Sequence, residues 1–239
     1  EAQLAGTQRR LLSADDTDGS TTALYTFGDG WSGDLGGEKR PIEVFVLEGE
    51  LQIAGDAATA GCYAHLAPGT TAYAASAPAG AHALIMIDAE RADSSGSDVK
   101  IVDPSTQRWL SAELGESDIP PGICIKLLNE DAETGDWTWV AGIVPGWQED
   151  RAEIHDTIEE CLVIRGDVLL GGRGGLTAGS YFWRPPMVRH GPMFSHGGAY
   201  FFFRTKGGNL TVEYEDVPGW EKMVADYVAE GKFYAGATA

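Results

Sequence analysis

Glu153, His155, Glu159 and His190 are the residues of this chain whose types and spacing can do chemistry. Glu153 and His155 are two apart, so on a β-strand both side chains leave the same face. Glu159 follows across a short turn, and His190 arrives on a separate strand. Two imidazoles and at least one carboxylate converging in a barrel interior outline a divalent metal site. The alternative, a buried polar cluster with no ion, would leave carboxylates without a cation or protons, which is costly.

Strands must position these groups. Glycine is abundant, at 32 residues, and runs of Val, Ile, Phe, Tyr, Trp and Thr alternate with Gly, Pro and Asp turns. That pattern predicts an all-β chain of many short strands, clearest at 42–47, 83–88, 126–128, 137–142, 160–164 and 199–204. Helical periodicity is scarce and clearest at the end, where Trp220, Val224, Tyr227 and Val228 recur at three- and four-residue steps after Pro218 and Gly219. One C-terminal helix is expected there, its apolar stripe packed on a barrel. A second short helix is expected near 107–114, inside a connection rich in Ser, Asp, Glu and Pro.

The spacing resembles that of the cupin family. The first cupin motif places two His two apart, a Glu four or five further on and a Gly seven after that. His155, Glu159 and Gly166 fall in register, with Glu153 in the place of the first His. The second motif, Gly, then Pro, then His, is matched by Gly179, Pro185 and His190, with Met187 where the family usually has Gly. The resemblance implies double-stranded β-helix, or jelly-roll, barrels, and a ligand set of His155, Glu159 and His190. Such a two-His, one-carboxylate set suits Fe(II) in oxygenases, because positions stay open for substrate and dioxygen. Glu153 is then a fourth ligand or a catalytic general base. If both glutamates bind, a dication is formally neutralised, and Zn, Mn or Ni suit the site as well.

An internal repeat doubles the barrel. Residues 10–13 are answered by 126–129; Gly30, Trp31 and Asp34 by Gly146, Trp147 and Asp150; Gly49 by Gly166; and 59–61 by 177–179. Two tandem cupin domains follow, 1–104 and 105–239. Pairing Ile42 and Glu43 with Ile158 and Glu159 sets Gly37, Lys39, Glu43 and Ala72 or Tyr73 of the first copy against Glu153, His155, Glu159 and His190. No imidazole survives, so the first copy is expected to be a metal-free structural partner.

Tyr181, Trp183, Met193, Phe201 and Phe203 lie on strands beside the ligands and are expected, in part, to line an apolar pocket for a small aromatic or diketone-like molecule. Arg184 and Arg189 flank the second motif, either to hold a substrate carboxylate or to form surface ion pairs. The second copy is similar to cupins that include dihydroxyacetophenone dioxygenases and the sensor domain of anti-sigma factors. Those relatives imply iron-dependent C–C cleavage in one case and zinc-dependent regulation in the other. An Fe(II) dioxygenase is the leading expectation. A non-redox metal-dependent isomerase or lyase and a non-catalytic small-molecule-binding bicupin stand as alternatives.

The net charge of −19, from 36 acidic and 17 basic residues, argues against nucleic acid or an anionic membrane as partner. A homodimer stays open. No run approaches the ~18–20 apolar residues of a membrane span. Cys62, Cys124 and Cys161 are odd in number and form no CxxC pair, as expected of buried free thiols in a reducing, cytoplasmic setting.

Overall fold

The computed structural model describes residues 4–36, 39–69, 71–91, 98–111 and 122–231. The chain divides into two compact units, 1–107 and 108–239, and both are built almost wholly of antiparallel strands. The one described helix, Trp220–Glu230, lies near the C-terminus. The helix expected at 107–114 is replaced, as far as 111, by a short strand, Leu110–Ser111, that follows a 3₁₀ turn at Pro104–Thr106. Residues 112–114 lie outside the described residues. Among the described residues no helix is long and apolar enough to cross a membrane.

Each unit is organised by one long strand. In the N-terminal unit Ile42–Ile53 pairs with Tyr63–Leu66 and Ala81–Ile87 along its first half, and with Asp56–Thr59 and Ala72–Ala77 along its second. In the C-terminal unit Ile158–Leu170 does the same with Tyr181–Arg184 and Ala199–Lys206, then with Gly174–Thr177 and Met193–Phe194. A strand shared between two sheets in this way curls them around a common interior. The change of partner happens at a bulge, between Val46 and Glu48 in one unit and between Val163 and Arg165 in the other. Bulges bend and twist a strand sharply.

The glycine that follows each bulge is required by backbone approach. Gly166 has φ +83, and a Cβ there would stand 2.0 Å from the Gly198 carbonyl oxygen; Gly49, at φ +75, would meet the Gly80 oxygen at 2.3 Å. Gly166→Ala should therefore destabilise the protein by about 2–4 kcal/mol, combining left-handed strain with backbone overlap. Gly179→Ala is the control, because Gly179 has φ +84 but nothing within 4 Å of its Cβ position. Urea denaturation should separate the two, and equal losses would rule out the close approach as the cause.

Side-chain alternation then assigns the interiors. Ile42, Val44 and Val46 belong to the core of the N-terminal unit, whereas Cys161 and Val163 join Trp139, Ala141, Ile143 and Phe201 in the C-terminal one. Aligned by their bulges, Val46 answers Val163, so Ile42 answers Glu159 and Glu43 answers Glu160. This corrects the pairing of Glu43 with Glu159 read from sequence. Glu43 leaves the opposite face of its strand, where its carboxylate accepts a hydrogen bond from Tyr63 (2.7 Å). Gly36 pairs with Ala72 where Glu153 bridges His190. Gly37, the counterpart of Glu153 in the sequence alignment, lies outside the described residues.

The C-terminal helix packs Trp220 and Tyr227 against Leu169 and Phe194, with Val224 partly buried beside them. Val228, expected in the same stripe, is exposed instead. The Tyr227 hydroxyl donates to Asp167 (3.3 Å), a carboxylate that also accepts from the His196 and Gly197 amides. All three cysteines are free; Cys62 and Cys161 are buried and Cys124 is half-buried.

Candidate metal centre

Two short backbone pairings bring the donors together. Glu153 ends the inward-facing part of Arg151–Ile154. Its N–H donates to the His190 carbonyl (2.7 Å), and the His190 N–H donates back (3.0 Å). Residues that exchange both bonds stand directly opposite with side chains on one face. His155 follows just beyond the strand, and its carbonyl accepts the Met187 N–H (2.7 Å). Met187 takes this turn at φ +65, the left-handed conformation for which the family's usual glycine is suited.

Each imidazole is oriented by a backbone carbonyl. His155 Nδ1 lies 3.0 Å from the Thr211 oxygen and His190 Nδ1 3.1 Å from the Val188 oxygen. A carbonyl can only accept, so both rings carry hydrogen on Nδ1, and in the neutral form each turns an Nε2 lone pair inward. Both Nε2 atoms lie 3.6 Å from Glu153 Oε2, too far for a normal hydrogen bond. Such spacings lie within the span of about 4.2 Å that two donors, each about 2.1 Å from one shared ion, can reach. Glu153, His155 and His190 are all buried, and among the described residues theirs is the one group of three donors near enough to share an ion.

Glu159 stands differently. Its Oε2 is 3.7 Å from His190 Nε2, but it accepts a 2.8 Å hydrogen bond from Arg184 Nη1. The carboxylate expected as the family ligand is thus held by a buried guanidinium, and Glu153 is the one set between the imidazoles.

The electrostatics match this division. Burial alone would raise the Glu153 carboxyl, but contact with His155 and His190 outweighs it and brings the pKa down to about 2. Burial likewise lowers His155, and Glu153, Glu159 and the Thr211 carbonyl more than compensate, so its pKa is raised. Burial depresses the Arg184 pKa from a very high starting value, and the guanidinium stays charged.

The donors open onto a cavity of about 120 Å³ with a mostly apolar wall that includes Trp139, Phe182, Met193, Phe201, Phe203 and Tyr214. Met193, Phe201 and Phe203 are therefore where the sequence suggests. Tyr181, Trp183 and Arg189 are not part of the wall. Glu159 pairs with Arg184 and Cys161 with Phe182 across the ladder, so Phe182 and Arg184 share the inner face, and Tyr181 and Trp183 take the other. Trp183 is 44% exposed. Arg189 is half-exposed and pairs with Glu215 at 2.6 Å. Sequence reasoning missed Trp139 and Phe182, which alternation from Glu159 would have found once the ladder register was known. It also missed Leu210, Val212 and Tyr214, which line the cavity from a stretch with no motif.

No curated protein matches the chain in sequence. Solved structures do match in fold. A "putative dioxygenase" from Nostoc punctiforme superposes with a TM-score of 0.77 at 19% identity, covering 90% of this chain and 79% of its own. Salicylate 1,2-dioxygenase from Pseudaminobacter salicylatoxidans gives 0.62 at 11%, covering 88% and 81%. A cupin 2 conserved barrel domain protein from Leptotrichia buccalis gives 0.57 at 10%, covering 86% and 91%. At these identities the likeness shows the fold, which is that of the cupins. Residues 2–212 match one family model, and the chain belongs to the family described as "Domain of unknown function (DUF4437)".

Proposed function

We propose that the chain is a metal-dependent bicupin enzyme, and that its C-terminal unit is an Fe(II) dioxygenase acting on a small aromatic substrate. The observation that carries this reading is the convergence of Glu153 Oε2 with the Nε2 atoms of His155 and His190 at 3.6 Å on the floor of an apolar cavity. A ferrous ion held by two His and one carboxylate supplies open positions for substrate and dioxygen. The protein supplies the rest. The Thr211 and Val188 carbonyls fix the two rings, Glu153 provides the anionic ligand atom, and Trp139, Phe201 and Phe203 exclude water from a substrate ring. Dioxygenases among the fold neighbours add support from analogy.

The N-terminal unit is read as metal-free, because Gly36, Ile42 and Ala72 stand at the described counterparts of Glu153, Glu159 and His190. Protein purified without chelator should carry close to one divalent ion per chain. Oxygen uptake should appear with a member of a panel of hydroxybenzoates, aromatic ketones and diketones. Zinc or manganese at that stoichiometry without uptake would move the assignment to an isomerase or lyase. An ion in both units, or in neither, would refute the single-site reading.

A further inference from the structure

We infer that Arg184 is the substrate-recognition residue of this site, and that the substrate is a carboxylate monoanion on a body no larger than one ring. The inference rests on the metal-centre reading and narrows its substrate class.

Arg184 has a side chain only 10% exposed and stands in the cavity wall. Nη1 is used by Glu159, at 2.8 Å, and Phe182 covers the guanidinium plane, its ring centre 3.8 Å from Cζ. Nη2 is buried without a hydrogen-bond partner. A charged N–H group left unmatched in an apolar interior is strongly disfavoured, so this atom marks where an acceptor belongs. Glu159 is then the counter-ion that clamps Arg184 in place rather than a metal ligand.

Charge selects the acceptor. With a dication bound, the buried groups are one positive Arg184, two negative carboxylates from Glu153 and Glu159, and the ion, which leaves one positive charge uncompensated. One monoanion neutralises the site, a neutral ketone does not, and a phosphate dianion overshoots while needing donors for three oxygens. Size sets the remainder. A cavity near 150 Å³ accepts benzene, so about 120 Å³ holds a single ring at most.

The test measures binding, so it does not depend on turnover. Acetate against acetamide, and benzoate against benzamide, are titrated calorimetrically into protein loaded with redox-inert Zn(II) and into metal-free protein, with metal content measured on each sample. The carboxylate of at least one pair should bind about 10- to 100-fold more tightly than its amide, the range of a hydrogen bond to a charged group. In the double variant Arg184→Met with Glu159→Gln, which leaves neither charge buried alone, the preference should disappear with zinc content unchanged. Arg184→Lys, which keeps an ion pair for Glu159 but loses the second planar N–H, should weaken the preference as well and stands in if the double variant does not fold. Equal binding of carboxylate and amide, no binding of any carboxylate, or a preference that survives substitution of Arg184 would overturn the inference. Failure to take up zinc, read from the metal content, refutes the metal reading separately, whereas zinc uptake without a carboxylate preference refutes this inference alone. In the metal-free protein, whose buried groups then carry a net negative charge, the preference should fall.

Discussion

Glu153→Gln should strip the C-terminal unit of its metal, whereas Glu159→Gln should leave the ion bound. The sequence motif alone orders these two glutamates the other way, with Glu159 as the family ligand and Glu153 as the substituted position. The geometry favours the reverse order: Glu153 Oε2 is equidistant from the two inward-facing imidazole nitrogens, and Glu159 is engaged by Arg184. Removing the one anionic ligand also removes the charge that offsets dehydration of a dication. His155→Ala and His190→Ala should behave like Glu153→Gln, with affinity falling by more than the ~100-fold upper range for an outer partner. Glu159→Gln should stay within that ~10–100-fold range, because its carboxylate acts through Arg184 and the field around His190. Chelator competition with zinc, checked by elemental analysis, gives the ranking. Loss of the ion from Glu159→Gln with retention in Glu153→Gln would restore the family ligand set and refute the reversed one.

Much of this was legible in the chain because a few residues each had one physical reason to be where they are. Glu153 and His155, two apart, needed only strand alternation. Gly166 needed only the close crossing at a bulge, and Trp220 and Tyr227 needed only a helical stripe. What escaped was register. A slip of one residue exchanges the two faces of a strand, and the bulge beside Val163 absorbs such a slip invisibly. Sequence alone therefore pairs Glu43 with Glu159 rather than Glu160, and places Tyr181 and Trp183 where Phe182 and Arg184 stand. The Thr211 and Val188 carbonyls were beyond reach for another reason, since a backbone acceptor has no residue type to betray it.

Zinc should stabilise the protein progressively more as pH rises from about 5 to about 8, because the ion competes with a proton on His155. Nε2 of His155 binds a metal only as the neutral ring, and the raised His155 pKa means that this proton is still held above 6.5. Apparent affinity should therefore fall about tenfold per pH unit below that pKa. Glu153 adds nothing to the slope here, since it stays ionised down to about pH 2. The metal-free protein should behave in the opposite sense. A raised His155 pKa contributes stability that is fully present below 6.5 and is lost as pH rises through the folded value, and a depressed Glu153 pKa contributes stability present above 4.5 and lost as pH falls towards 2. The two contributions overlap best between those reference values, so the gap in thermal midpoint between zinc-loaded and metal-free protein should be small near pH 5 and wide near pH 8. In His155→Ala the gap should collapse at every pH. A wild-type gap that stays constant across the range would mean that no proton leaves His155 when the ion binds, and that His155 is not a ligand.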